Sequence, residues 1–254
     1  MDQSSAEADL QQLGKAKAAL DVRVALSQDS ARLETLSWAL PGLYVDASKQ
    51  RWDSEVVNAL LQLAKEAGVP QAIADQFGGA PINHTEGRAV MHMALRGQAS
   101  DAYEVDGQDV MPGVLDVRGR MLDFVDRVHD AQAHGRVTDV VNIGIGGSDL
   151  GPAMATIALA PYHDGPRCHY VSNVDGADIT DCLDGLDPQT TLIIIASKSF
   201  TTIETMTNAE TAIAWLRAAL GDRASEHLAA VSTAMDRTAE MGIPPERVFG
   251  FADW

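Results

Sequence analysis

The spacing of apolar positions changes about halfway along the chain. In the first half they recur three or four residues apart, which is the period of an amphipathic helix. This spacing predicts helical segments at 10–26, 33–40, 54–67 and 88–95, the last a short helix or a helix start. Pro41-Gly42 is expected to end the second segment, and Gly68 with Pro70 the third. The polar stretch 97–113 is predicted to be a connection.

Beyond residue 113, short apolar runs alternate with helical patterns. Strands are predicted at 137–145, 167–171, 191–196, 228–233 and 248–251, and helices at 115–134, 151–160, 179–183 and 202–220. The run 191–196 is continuously apolar and β-branched, which indicates a strand buried on both faces of a parallel sheet. Alternating strands and helices predict an α/β domain around such a sheet. We therefore expect a helical segment at 1–112 and an α/β domain at 113–254.

Composition narrows the class of protein. The 254 residues are 46% hydrophobic and 22% charged, which is typical of a soluble globular chain. The net charge of −17 argues against nonspecific nucleic-acid binding, and no apolar run approaches the roughly 20 residues that span a bilayer. The start lacks the pattern of a signal peptide, and two cysteines, Cys168 and Cys182, fit a reducing compartment. We expect a cytoplasmic protein with neither nucleic-acid nor membrane partners.

A glycine cluster at 142–152 directly follows a predicted strand and opens a predicted helix. Glycines let the backbone approach a ligand closely, and a helix start offers free N–H groups. Asp149 stands where a dinucleotide fingerprint needs glycine. A P-loop would need lysine after Gly151, where the chain has Pro152. The cluster is therefore either a ligand-binding loop of another kind or a tight turn without a ligand.

A second polar loop, residues 197–202, follows the predicted strand 191–196 and also opens a helix. It carries four hydroxyls and the ammonium of Lys198. Such a set beside the N–H groups of a helix start suits a phosphate monoester. The alternative is plain helix capping by Thr201 or Thr202. Capping does not need Lys198, which favours the phosphate interpretation.

Both loops follow strands of the predicted parallel sheet, and ligands bind beyond the carboxyl ends of such strands. We therefore expect the loops to converge on one crevice that takes a small phosphorylated metabolite. The candidate substrate-binding residues are Gly147, Ser148, Ser197, Lys198, Ser199 and Thr202. No spacing of side chains predicts a metal site.

At these residues the sequence resembles the glucose-6-phosphate isomerase family. The resemblance rests on Gly-Ile-Gly-Gly-Ser-Asp-Leu-Gly-Pro at 144–152, followed by Ser-Lys-Ser-Phe-Thr-Thr-Ile-Glu-Thr at 197–205. Further similar stretches are Asp46 with Ser48-Lys49, 61–68, 83–96 and Phe251-Ala252-Asp253-Trp254. Two positions depart from the family pattern. Ser199 replaces the usual threonine but keeps its hydroxyl, and Ala47 stands where an aromatic residue is common.

The resemblance implies an αβα sandwich of the sugar-isomerase (SIS) type around a central parallel sheet, preceded by the helical segment. It implies that 113–254 is a first SIS domain, incomplete at its C-terminal end, of a homodimeric enzyme without cofactor or metal. That enzyme interconverts glucose 6-phosphate and fructose 6-phosphate in glycolysis and gluconeogenesis. In the family, the residues matching Ser197, Lys198, Ser199 and Thr202 bind the phosphate, and those matching Gly147 and Ser148 line the sugar.

The catalytic residues implied by the resemblance lie outside 1–254. In the family, Asp-Trp precedes a Gly-Gly-Arg segment whose arginine stabilises the enediolate, and a glutamate, a histidine and a lysine follow later. We therefore expect a fragment that is inactive alone. Two alternatives stay open. One is a non-catalytic SIS module that binds a sugar phosphate, and the other is an SIS isomerase for another hexose phosphate, such as an amino sugar.

Overall fold

The computed structural model describes residues 5–130 and 137–254. The chain divides into two compact units. The first runs to Met93 and takes in Tyr103–Gly107, and the second contains Ala94–Ala102 and Gln108–Trp254. The predicted domain limits, 1–112 and 113–254, stay a prediction. No helix in the described ranges is long and apolar enough to cross a membrane.

The first unit is mainly helical. Its helices are α1 (Ser5–Lys17), α2 (Val22–Gln28), α3 (Arg32–Thr35), α4 (Ser54–Glu66) and α5 (Val69–Phe77). Asp53 caps α4, because its carboxylate accepts the N–H of Val56 at 3.0 Å. The sequence pattern does not predict helix α5. Gly68 and Pro70 end the preceding helix and also begin α5, since Gly68 is its N-cap and Pro70 lies in its first turn.

The prediction of a helix over 33–40 is wrong beyond Thr35. The chain instead forms an antiparallel hairpin of β1 (Ser37–Leu40) and β2 (Leu43–Asp46). Pro41-Gly42 supplies the turn, and Gly42 has a φ of +73°, which glycine adopts without strain. The leucines in 33–40 have helical spacing, but this turn and the aromatic and β-branched residues around it favour a hairpin more strongly.

The predicted helix over 88–95 is also wrong. Asn83 and Arg88 form an isolated antiparallel bridge around Gly87, whose φ is +66°. Only a 3₁₀ turn, Ala94–Arg96, follows. The predicted connection 97–113 contains two short strands, β3 (Glu104–Val105) and β4 (Gln108–Asp109), and it ends where the next helix begins.

The second unit is built on a five-stranded parallel sheet. Its strands are β5 (Asp139–Ile143), β6 (Arg167–Val171), β7 (Thr191–Ala196), β8 (Leu228–Val231) and β9 (Val248–Phe249). They lie in the order β6-β5-β7-β8-β9. All five strand positions predicted from the sequence are confirmed, but β5, β8 and β9 end two residues earlier than predicted, and β5 also starts two residues later. Ser232-Thr233 therefore lies beyond the sheet.

Helices cover both faces of this sheet. They are α6 (Met111–His129), α7 (Leu150–Ala158), α8 (Gly176–Leu183), α9 (Ile203–Leu220) and α10 (Met235–Glu240). Along β7, Ile193 and Ile195 pack with α8 and α9, whereas Leu192 packs on the opposite face with Phe124 of α6. The face on which a side chain packs alternates, because successive side chains of a strand point to opposite faces. The predicted αβα sandwich with a central parallel sheet is confirmed.

Helix α6 starts at Met111, four residues earlier than predicted. Pro112 lies in its first turn, where proline is tolerated because the N–H it lacks would have no partner within the helix. The helix ends at His129, and Asp130 is its C-cap. The last four residues of the predicted helix, 131–134, lie outside the described residues.

Candidate functional site

The two candidate loops leave neighbouring strands at the same edge of the sheet. Strands β5 and β7 are parallel and paired, with Ile143 opposite Ile195. Gly144 is the first residue after β5, and Ala196 is the last residue of β7. A Cβ atom placed on Gly144 would lie 3.2 Å from the carbonyl oxygen of Ala196. The two loops therefore begin close together at the same edge of the sheet.

The first loop is a tight turn of glycines. Gly146–Ser148 form a 3₁₀ turn, and α7 begins two residues later. Gly146 has a φ of +61°, a region that favours glycine. The side-chain amide of Asn142 donates to the carbonyl oxygen of Ser148 at 3.0 Å and so ties the turn to β5. Gly147 is exposed and Ser148 half-buried, which leaves both within reach of a ligand.

The second loop, residues 197–202, is called the anion loop below. Ser197 is buried and donates its N–H to Val231 at 3.1 Å. Lys198 and Ser199 are exposed. Phe200 is buried although its φ is +52°, a conformation that costs a non-glycine residue energy. The buried ring anchors the loop and holds the flanking polar residues at the surface.

The geometry weighs against helix capping as the sole role of these hydroxyls. Thr202 is the N-cap of α9, but its side chain makes no capping hydrogen bond. The hydroxyls of Ser199 and Thr201 lie 2.6 Å apart and bond to each other. The N–H groups of the first helical turn have no partner within a helix, and the helix dipole adds positive potential there. The anion loop can therefore offer hydroxyls and amides to one ligand.

Lys198 adds the cation that a phosphate needs. Its Nζ lies 3.8 Å from Oδ1 of Asp253, and both side chains are well exposed to solvent. Exposed pairs of this kind contribute at most about 1 kcal/mol. A phosphate with a larger charge and further donors around it can therefore displace Asp253 from Lys198.

The two cysteines are not nucleophile candidates. Burial, with the carboxylates of Asp178 and Asp139 nearby, raises the pKa of the Cys182 thiol to about 11. Burial also raises the pKa of Cys168. A thiol that stays protonated at neutral pH is a poor nucleophile. The chemistry of the second unit therefore centres on oxygen and nitrogen groups.

The structure adds residues that the sequence interpretation missed. Ser232 and Thr233, predicted to end a strand, form a turn after β8 and donate hydrogen bonds to the carbonyl oxygen of Lys198. Arg237 of α10 donates to the carbonyl oxygen of Phe200 at 3.3 Å. In the sequence, these two hydroxyl residues are visible directly after the apolar run 228–231. The sequence does not show that they contact the anion loop.

The chain is similar to known proteins in both sequence and structure. The family model described as phosphoglucose isomerase matches residues 46–254. Curated proteins named glucose-6-phosphate isomerase, from Ruegeria sp. (strain TM1040) and Jannaschia sp. (strain CCS1), are 56% and 54% identical to this chain over 232 residues. Each alignment covers 90% of this chain.

A solved structure shows the same architecture. The crystal structure of a glucose-6-phosphate isomerase from Chlamydia trachomatis superposes with a TM-score of 0.79 at 25% identity, over 98% of this chain and 48% of that one. The chain spans 43% of the length of the Ruegeria and Jannaschia relatives. The family model covers well over half of the chain. The chain therefore belongs to the phosphoglucose isomerase family.

Proposed function

We propose that this chain is the sugar-phosphate-binding part of an aldose–ketose isomerase that interconverts glucose 6-phosphate and fructose 6-phosphate. The observation that carries the proposal is the anion loop. It presents Lys198, exposed hydroxyls and a helix start beside the glycine turn, in a chain of the phosphoglucose isomerase family. The whole protein is proposed to be a cytoplasmic homodimer that acts without a metal or organic cofactor.

In this proposal the phosphate lies in the anion loop and the sugar extends toward the glycine turn. The phosphate is bound by Ser197, Lys198, Ser199 and Thr202, and the sugar is lined by Gly147 and Ser148. Support comes from their placement, since the two loops leave paired strands and begin close together. Charge-assisted hydrogen bonds and a helix start are the usual means of binding a phosphate monoester.

The isomerisation also needs a base that moves a proton between adjacent carbons, and a donor where charge develops on the enediolate oxygen. We propose that neither group is among these 254 residues. A non-catalytic sugar-phosphate module has less support, because the family match extends from residue 46, far outside the two loops.

The purified 254-residue chain is expected to bind fructose 6-phosphate without turning it over. A coupled assay with glucose-6-phosphate dehydrogenase measures the glucose 6-phosphate formed, and the full-length Ruegeria relative serves as the positive control. Turnover by the chain clearly above the blank, abolished by changes in its own loops, would contradict the placement of the base outside it.

Lys198→Met is expected to raise the Kd of the chain for fructose 6-phosphate about 30-fold, because a hydrogen bond to a charged group contributes about 2 kcal/mol. Titration calorimetry measures the Kd. Lys15→Met, on the exposed side of α1, is the matched control and should leave the Kd unchanged. If both variants bind as tightly as the unchanged chain, the phosphate does not lie at Lys198.

A further inference from the structure

A third loop of the second unit supports the anion loop from the side of β8. Ser232 is fully buried directly after β8, and its hydroxyl donates to the carbonyl oxygen of Lys198 at 3.1 Å. The same oxygen accepts the hydroxyl of Thr233 at 3.1 Å and its N–H at 3.3 Å. Three donors from two adjacent residues thus converge on one carbonyl of the anion loop.

Ser232 also holds its own turn in place. Its hydroxyl oxygen accepts the N–H of Ala234 at 3.1 Å while its hydrogen is donated to Lys198. Two residues into α10, Arg237 donates to the carbonyl of Phe200 at 3.3 Å. Ser232, Thr233 and Arg237, called the brace below, therefore fix two carbonyls of the anion loop, those of residues 198 and 200.

Fixing these carbonyls also fixes the amides that follow them. The peptide unit is planar, and the chain has no cis peptide bond among its described residues. In a trans peptide the C=O and the next N–H point in opposite directions. The N–H groups of Ser199 and Thr201 must therefore point away from the brace. Within the described part of the chain, neither of them donates to a backbone carbonyl.

We propose that the brace positions the amide N–H groups of Ser199 and Thr201 to bind the phosphate, so that Ser232, Thr233 and Arg237 are positioning residues for the anion loop. The proposal rests on the proposed function, because it assumes an anion in this loop. The brace also keeps Phe200 at positive φ, a conformation that persists only where its surroundings hold it. The brace contacts backbone atoms alone in these bonds, so it acts without touching the ligand.

The test compares Thr233→Val, which removes the hydroxyl and keeps the shape, with Thr233→Ser, which keeps the hydroxyl. Thr233 is exposed, so both variants are expected to fold, and Ser232→Ala serves as a second, buried variant. Inorganic phosphate and fructose 6-phosphate are the probes, and the chemical shifts of the Ser199 and Thr201 amides are followed by NMR. Thr211→Val, whose hydroxyl bonds within α9, is the matched control.

Both amides are expected to shift on titration of the unchanged chain with either probe. Loss of one hydrogen bond is expected to raise both Kd values about tenfold in Thr233→Val, and Ser232→Ala, which loses two, is expected to raise them at least as much. Thr233→Ser and Thr211→Val should bind like the unchanged chain. If the unchanged chain binds the probes with shifts of these amides, but Thr233→Val and Ser232→Ala bind them equally well, the positioning role of the brace is wrong and the proposed function stands. If the unchanged chain binds neither probe, both are overturned.

Discussion

Gly144→Ala is expected to raise the Kd for fructose 6-phosphate roughly a hundredfold, since overpacking a close contact costs about 1–3 kcal/mol. The added Cβ would lie 2.8 Å from Cβ of Ser148 and 3.0 Å from the carbonyl oxygen of Ser148. It would also meet the carbonyl of Ala196. Two of these neighbours are backbone atoms, and Asn142 already fixes the carbonyl of Ser148. The glycine turn must therefore shift, and Ser148 with it.

Gly151→Ala is the matched control for that substitution. It lies in the same segment, in α7, and a Cβ there meets nothing within 4 Å. Alanine in a helix is better by about 1 kcal/mol than glycine, so this variant should be slightly more stable and bind normally. Titration calorimetry separates the two variants. If Gly144→Ala binds fructose 6-phosphate as tightly as the unchanged chain, the glycine turn does not contribute to the binding site.

Asp139→Ala is expected to lower the free energy of unfolding of the parallel-sheet unit by about 3 kcal/mol. Each hydrogen bond to a charged group contributes about 1.5–3 kcal/mol, and in the variant water replaces some of the lost hydrogen bonds. Asp139 is buried at the start of β5. Its carboxylate accepts from Arg167 at 2.9 Å, from Nε2 of His169 at 2.8 Å and from Thr138 at 2.8 Å. Thr138 in turn bonds Thr190 before β7.

This contribution depends on pH in a defined direction. Burial opposes ionisation of Asp139, but the hydrogen bonds from Arg167, His169 and Thr138 outweigh it and hold the pKa below its usual range. A carboxyl whose pKa is lower in the folded state stabilises the fold above its unfolded pKa of about 4 and loses that effect as the pH falls through the folded value. The difference between Asp139→Ala and the unchanged chain should therefore be full at pH 7 and shrink below about pH 4.

Hydrogen exchange of the Ile193 and Ile195 amides, in the central strand β7, measures this loss of stability within the sheet. Asp181→Ala, at an exposed position of α8, is the matched control and should leave the exchange rates nearly unchanged. If Asp139→Ala exchanges like the control at pH 7, the network around Asp139 contributes little to the fold.

Strands β7 and β8 were predictable from sequence because they are short apolar runs that are almost wholly buried. Such runs are recognisable in the sequence even though each strand pairs with others far along the chain. The first unit was less predictable. In 33–40 the leucines have helical spacing, yet Leu40 and Leu43 flank a turn in a hairpin whose apolar side chains are exposed. In this segment the turn residues and the local preference for strand determine the hairpin, and the helical spacing of the leucines does not predict it.

The position of the two candidate loops could be predicted, because each loop follows a strand of the sheet and is rich in glycines or hydroxyls. The ligand-binding role of their residues stays a prediction. The brace could not be predicted, since Ser232 and Lys198 are 34 residues apart and come together only through the pairing of β7 with β8. The positive φ of Phe200 gave no signal either, because a phenylalanine there is held by its surroundings and not by its own preference.

A crystal structure of this chain with fructose 6-phosphate tests the central claim most directly. The proposal predicts density for the phosphate at the anion loop, within hydrogen-bond distance of Lys198 and of the Ser199 and Thr201 amides, with the sugar beside Ser148. Density for the sugar phosphate elsewhere on the chain, with the crevice between the two loops empty at saturating ligand, would contradict it.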